Sequence, residues 1–334
     1  MQGKIKVVFF QRKPLPFHKS LEFIFDDVRK RLNGIIEPVK YVFSDYSKGL
    51  ISRINIIKEA NKNKGNVNHV TGDIHFATIG LPKATTLLTI HDCRMLSDSK
   101  GVKHLLLKYF WFTLPLKHCR YITVVSETTK REVLKYANYL EENIFVIPVA
   151  ISESYSYQQK EFNCKRPSIL QVGTTINKNI TRLIEAIKDI DCTIRFIGKL
   201  TEEDAALLQK YKIDYAAEEG ISHEQLVKAY EACDMVSFVS TYEGFGMPIV
   251  EGNAVGRPVI TSNISSMPEI AADAAHLVDP FDISSIREGI LLIKNSETYR
   301  NKLIANGLIN CRRFDAAVIA NQYLDVYKKI AAGE

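Results

Sequence analysis

Met235-Val236-Ser237-Phe238-Val239-Ser240 leads, through Thr241-Tyr242, into Glu243-Gly244-Phe245-Gly246-Met247-Pro248-Ile249-Val250-Glu251. The first part is an apolar run of strand length. The second is a glycine turn with Pro248 standing where a helix can begin. A strand passed through a tight turn into a helix is the repeating unit of a doubly wound parallel sheet. Free backbone N–H groups at such a helix start favour a phosphate, and Gly244 and Gly246 let the backbone approach a ligand closely. Glu251 follows Glu243 by 251 − 243 = 8 positions. One carboxylate therefore falls on the loop and the other about one helical turn past Pro248. The pair can flank one ligand and accept hydrogen bonds from hydroxyl-rich groups such as a ribose and a hexose. A nucleotide-sugar site is the functional expectation. The structural alternative is an ordinary turn whose glutamate is stabilised by the helix dipole.

The same alternation extends in both directions. Lys6–Phe10, Val39–Phe43, Thr86–Ile90, Tyr121–Val125 and Ile144–Ile147 read as strands, with helical patterns at Leu21–Leu32, Ser52–Asn61 and Glu127–Tyr136. A second series follows, with strands at Ile169–Val172, Thr193–Ile197, Met235–Val239 and Pro258–Thr261 and helices near 179–188, 202–211, 222–232 and 247–255. Two such series predict two doubly wound α/β domains. We assign them to residues 1–151 and 152–312. The polar stretch Ser152–Pro167 is the expected linker. Residues 313–334 hold an amphipathic helix that can cross back to the first domain. A ligand would sit in the cleft facing the carboxyl ends of both sheets.

The length of 334 residues suits two domains, and 46% hydrophobic with 25% charged residues is ordinary for a soluble globular protein. No apolar run reaches the ~20 residues that span a bilayer. The N-terminus enters a strand pattern without a secretory core, so a cytoplasmic location is expected. The six cysteines lie without Cys-x-x-Cys or zinc spacing, which predicts a reduced chain and no metal. A net charge of +6 with dispersed lysines and arginines suits phosphate-bearing partners or an anionic membrane face, and no nucleic-acid motif accompanies it.

Gln171-Val172-Gly173-Thr174-Thr175-Ile176-Asn177-Lys178-Asn179 closes the first strand of the second series. Gly173 allows close approach. Lys178 stands near a helix start, against the helix dipole, where a bound anion explains an ammonium better than helix stability does. Such a cation suits a pyrophosphate leaving group; a solvated loop lysine is the alternative. His91 closes Thr89-Ile90-His91-Asp92 at a strand end and is either catalytic or a satisfied structural histidine, with Asp92 beside it to orient a neighbour. Arg12 and Lys13, in the loop Gln11–His18, can meet a phosphate or the acceptor, or lie solvated. Lys103–Arg120 interleaves aromatics with lysines. It is expected to pack inside, the alternative being a patch on a membrane face.

These segments resemble the retaining GT-B glycosyltransferases of the large bacterial group called family four. The resemblance rests on Thr89–Asp92, Val124-Val125-Ser126-Glu127, Val146-Ile147-Pro148, Val172-Gly173 with Lys178-Asn179, Tyr242–Glu251, Ala254–Pro258, and Met267-Pro268-Glu269 through Asp279-Pro280, in family order over nearly the whole chain. It implies two Rossmann-like domains, residues 1–151 on the acceptor side and residues 152–312 on the donor side, the second holding the nucleotide sugar through Gly173, Thr174, Lys178 and the run Glu243 to Ile249 with Glu251. In such enzymes the residues matching Glu243 and His91 lie by the transferred sugar, the match of Glu251 holds the ribose, and that of Lys178 contacts the diphosphate. His91, Lys178 and Glu243 are thus the catalytic candidates, and no metal or other cofactor is implied. The chain departs from the pattern at Thr174-Thr175, where an arginine is common, at Arg12-Lys13-Pro14, which replaces a glycine pair, and at Ala271-Ala272, where Ala-Gly is frequent.

The function expected is transfer of a hexosyl unit from a UDP- or GDP-sugar to a lipid-linked or oligosaccharide acceptor in cell-surface polysaccharide synthesis. Mannose is the sugar suggested by the resemblance. The leaving phosphate oxygen can itself take the acceptor proton. Two alternatives share the fold: a nucleotide-sugar epimerase or phosphorylase, and a non-catalytic sugar-nucleotide-binding subunit. Peripheral contact with the inner face of the membrane is also open.

Overall fold

The computed structural model of the chain describes residues 3–14 and 20–334, without the side chains of residues 20–23. Leu15 to His18 of the basic loop lie outside the described residues. Contacts divide the chain into two units, Met1–Ala150 with Ala316–Glu334, and Ile151–Asp315.

The first unit carries strands β1 (Lys6–Gln11), β2 (Glu37–Val42), β3 (Val67–Val70), β4 (Thr86–Ile90), β5 (Tyr121–Val124) and β6 (Ile144–Val146). They form one parallel sheet in the order β2-β1-β3-β4-β5-β6. Its helices are α1 (Ser20–Leu32), α2 (Gly49–Lys62), α3 (Arg94–Ser97), α4 (Gly101–Leu107), α5 (Leu114–Lys117) and α6 (Glu127–Tyr136).

Successive side chains of a strand point to opposite faces, and β1 shows the consequence. Val8 and Phe10 join the core beneath α2, with Ile56 and Ala60. Val7 and Phe9 join the opposite core with Phe25 and Val28 of α1. Because both faces are covered, the strand is an unbroken apolar run rather than an alternating one. Each large side chain buried this way stabilises the unit by roughly 1.5–3 kcal/mol.

The second unit carries β7 (Ser168–Val172), β8 (Thr193–Ile197), β9 (Asp214–Glu218), β10 (Met235–Phe238), β11 (Val259–Ser262) and β12 (His276–Val278). This sheet is also parallel, in the order β12-β11-β10-β7-β8-β9. Its helices are α7 (Ile180–Ile187), α8 (Glu202–Lys210), α9 (His223–Ala232), α10 (Met247–Val255), α11 (Met267–Ala271), α12 (Ile283–Asn295) and α13 (Glu297–Asn310). The chain builds outward from β7 through β8 to β9, then returns to place β10 on the other side of β7. The strand order therefore reverses between β7 and β10, and the loops leaving those two strands open a crevice.

The last helix, α14 (Ala316–Ala332), packs in the first unit. Its Ile319, Tyr323 and Tyr327 enter the core shared by Phe9 and Phe25. Residues 152–167 belong to the second unit. Tyr155 is buried edge-on against Tyr230, and the Gln158 N–H donates to the Val255 carbonyl.

The segment Lys103–Arg120 departs from the expectation of core burial. Phe112 and Leu116 are buried, but Leu105, Leu106, Tyr109 and Phe110 stand exposed. A π-helical turn at Lys108–Thr113 continues α4 and shifts the register, carrying Phe112 inward. Among the described residues no helix is long and apolar enough to cross a membrane.

Candidate active site

The loops leaving β7 and β10 meet side chain to side chain. After β7, Gly173 adopts a positive φ of 82°, and its N–H donates to the Ile197 carbonyl. A Cβ at Gly173 would lie 2.9 Å from Lys178 Cε, so only glycine leaves the lysine its course. Lys178 Nζ sits 2.6 Å from Glu243 Oε1 and 4.5 Å from the centre of the Phe238 ring. Asn177 Nδ2 donates to the same Glu243 oxygen and to the Tyr242 carbonyl, each at 3.0 Å. Asn179, left-handed at φ 61°, begins α7, and its amide donates to the carbonyls of Val239 and Pro280. Two asparagines and a lysine thus tie the β7 loop to the β10 loop.

Glu243 is held from the other side by serines. Its N–H donates to Ser265 Oγ, and the hydroxyls of Ser265 and Ser266 donate to its carbonyl. The Ser266 hydroxyl also reaches the Phe245 carbonyl. Gly246, at φ 117°, makes the turn into α10, with Pro248 in the helix's first turn. The side chains of Phe245, Pro248 and Ile249 are buried, so this stretch can offer a ligand only its backbone at those positions. The first N–H groups of α10 have no carbonyl partner within the helix, and the helix dipole adds partial positive charge there.

Helix α10 is buried from Pro248 to Val255, which accounts for its apolar character all round. Glu251 is the exception in kind, a carboxylate only 8% exposed. Tyr230 Oη of α9 donates to Glu251 Oε2 at 2.5 Å. The helix that brings Tyr230 begins at a capping box, with Ser222 and Gln225 satisfying each other's backbone N–H groups. Tyr155 also approaches this carboxylate, without a hydrogen bond of ordinary geometry. Burial pushes the Glu251 carboxyl above the usual carboxylate range; the tyrosine hydroxyls and the Lys178 charge pull it back. Lys178 therefore acts electrostatically on both carboxylates.

Thr174 donates its hydroxyl to the Lys199 carbonyl. The other candidates belong to the first unit. His91 follows β4, and its Nε2 bonds the Thr71 carbonyl at 2.9 Å. A carbonyl only accepts, so Nε2 carries hydrogen, and in the neutral ring Nδ1 is the acceptor. The Asp92 carboxylate accepts the Arg94 N–H at the start of α3. Arg12 pairs with Asp73, and the Lys13 ammonium donates to the Ser44 carbonyl at 2.9 Å. Among the described residues no group of three or more His, Cys, Asp or Glu is placed to hold a metal ion.

Sequence reasoning missed the roles of Asn177, Asn179, Ser265, Ser266 and Tyr230. Asn179, just before a helical pattern, carried a capping signal, although its side chain bridges loops instead. The two serines and Tyr230 gave none, because their partners lie 21 to 23 positions away.

Residues 155–308 match the model of the family described as glycosyl transferases group 1. The chain is 28% identical over 236 residues to O-antigen chain mannosyltransferase B of Escherichia coli, covering 64% of this chain and 61% of that one. It is 29% identical over 221 residues to O-antigen chain mannosyltransferase RfbU of Salmonella typhimurium, covering 64% and 62%. It thus spans about six tenths of the length of these two relatives. The solved structure of Anabaena Alr3699/HepE in complex with UDP and glucose superposes with a TM-score of 0.79 at 13% identity, over 97% of this chain and 100% of that one. Two six-stranded parallel sheets with this likeness constitute the GT-B fold. Residues 155–308 make up nearly the whole of the second unit, and it is this unit that matches the group 1 glycosyl transferase family.

Proposed function

We propose that this protein moves a hexosyl unit, with mannose the leading candidate, from a UDP- or GDP-sugar to a hydroxyl of a lipid-linked or oligosaccharide acceptor, retaining the anomeric configuration, in cell-surface polysaccharide synthesis. The observation that carries the reading is the contact of Lys178 with Glu243 where the strand order reverses, with Glu251 within the lysine's field. The diphosphate would lie against Lys178 and the N-terminus of α10, where negative charge on the leaving group is stabilised as the bond to the sugar breaks. The sugar, passing through an oxocarbenium-like state, would lie by Glu243. The ribose would reach Glu251. Lys178 supplies the cation that the leaving phosphate needs, so turnover is expected without a metal cofactor and should survive chelation. The proposed work is cytoplasmic, and a lipid-borne acceptor would bring the enzyme to the inner face of the membrane.

The mannosyltransferase names of both relatives support the choice of sugar. The test is incubation of labelled GDP-mannose, UDP-glucose and related donors with lipid-linked acceptor extracts, and NMR of the product linkage. Transfer that falls steeply in Lys178→Ala, with the donor's anomeric configuration kept, is the expected result. Inverted product, acceptor-free epimerisation, or binding without turnover would overturn it.

A further inference from the structure

Besides Glu243, Lys178 has a partner that carries no charge. Its Nζ lies 4.5 Å from the centre of the Phe238 ring, within reach of a cation–ring attraction. Phe238 is the last residue of β10 and is fully buried. Its backbone is pinned by the Thr261 hydroxyl, which donates to the Phe238 carbonyl at 2.8 Å. Strand patterning makes it one more core aromatic, yet its ring meets a cation.

The same ring borders the turn into α10. A Cβ built on Gly246 would stand 3.4 Å from Phe238 Cε1 and 3.1 Å from Ile249 Cδ1. Phe238 thus adjoins both groups that the proposed reaction gives to the diphosphate, the Lys178 ammonium and the N-terminal turn of α10. Glu243 and Phe238 hold that ammonium in different ways. The carboxylate, at 2.6 Å, neutralises it and competes with an incoming phosphate. The ring attracts the charge through its quadrupole and leaves it uncompensated.

Given that Lys178 meets the leaving diphosphate, we propose that Phe238 is a positioning residue of the donor site, a role that rests on that reading. Its ring keeps the ammonium beside the α10 turn and prevents the flexible lysine stem from settling wholly on Glu243. An aliphatic side chain would fill much of the same space without attracting the charge. Ordering the lysine would then fall to the binding step.

Calorimetry with UDP and with GDP tests this on the native protein, Phe238→Leu, Lys178→Ala and the double variant. Both diphosphates carry the full charge of the leaving group, so they report on Lys178 more directly than an intact donor does. Phe238→Leu should weaken their binding about fivefold, the cost of ordering one long side chain. In the Lys178→Ala background the same change should have no effect, whereas a packing role would give the same loss in both. Because leucine leaves part of the ring's volume empty, Phe238→trifluorophenylalanine is the second variant. It keeps the ring, withdraws negative charge from its face, and should reproduce most of the loss at little cost in melting temperature. A loss that persists without Lys178, or native binding by the trifluoro variant, would overturn the role of Phe238 and leave the proposed reaction standing. Native-like diphosphate binding by Lys178→Ala, or none by the native protein, would overturn the donor-site reading and this role together.

Discussion

Tyr230→Phe removes the one hydroxyl that closes a short hydrogen bond to Glu251, and leaves the ring in place. A hydrogen bond to a charged group contributes about 1.5–3 kcal/mol. At 1.36 kcal/mol per pKa unit, its loss should lift the Glu251 carboxyl about one to two units further above a position that burial has already raised. In the proposed site the carboxylate form accepts the ribose hydroxyls. Nucleotide binding by the native protein should therefore strengthen as pH rises through the Glu251 pKa, and in Tyr230→Phe the same rise should come about one to two pH units later. Above it the variant should recover most of its affinity, whereas Glu251→Ala should bind weakly at every pH. Stability moves the opposite way. The folded state holds the Glu251 proton more tightly than the unfolded chain. Its contribution is present at low pH and declines as pH rises from the ordinary carboxylate range through the raised pKa. Tyr230→Phe should deepen that decline. Calorimetric titration with UDP and with GDP, from about pH 5 to about pH 9, beside urea unfolding over the same range, measures both. A Tyr230→Phe binding curve that superimposes on the native one, or that is depressed equally at all pH values, would refute the assignment of Glu251.

Lys178→Ala should lower turnover by about 10²–10³, the usual effect of removing one donor to a developing anion, with a smaller change in KM; steady-state kinetics within threefold of the native enzyme would count against its role. Gly173→Ala must displace Lys178, because its Cβ would come within 2.9 Å of Cε, and it strains a φ of 82°. Turnover should fall toward that of Lys178→Ala while the melting temperature drops by only the few degrees that ~1 kcal/mol of backbone strain implies. His69, bonded to Tyr327 and Thr89, has its imidazole pushed down to about 3 by burial. The unfolded chain therefore binds this proton first, and the first unit should lose about 1.4 kcal/mol per pH unit as pH falls from about 6.5 toward 3. In His69→Asn that slope should disappear from urea unfolding, and a slope left intact would assign the acid sensitivity elsewhere.

The strand–helix rhythm was legible because parallel strands covered on both faces are apolar runs, as in Thr86–Ile90 and Met235–Phe238. What escaped were β3, β9 and β12. Val67–Val70 has polar residues at its centre, yet both are buried: Asn68 bonds Thr85 and Gly65, and His69 bonds Tyr327. Asp214–Glu218 is an edge strand with exposed side chains, and His276–Val278 is three residues long. Tertiary partners made these strands, and no periodicity announced them. The same holds at the site. Lys178, Glu243 and Glu251 could be picked out by their spacing from glycines and a proline. The bonds that aim them come from Asn177, Ser265 and Tyr230, through contacts that sequence order conceals.

Those aiming bonds bear on how a site with its lysine already paired can receive a phosphate. The Lys178 and Glu243 side chains are 17% and 15% exposed, so the pair is largely covered and desolvation of both ions offsets much of their attraction. A diphosphate brings at least two negative charges, so the ammonium gains by turning toward it. Glu243 would then be a carboxylate deprived of its cation, which is costly in a covered site. Asn177 would reduce that penalty, because its amide also donates to Glu243 Oε1 at 3.0 Å. Ser265 and Ser266 keep the Glu243 backbone fixed meanwhile. In the proposed reaction the ion pair is then a resting arrangement, and Asn177 would let the lysine change partners while the carboxylate proposed to face the sugar holds its place.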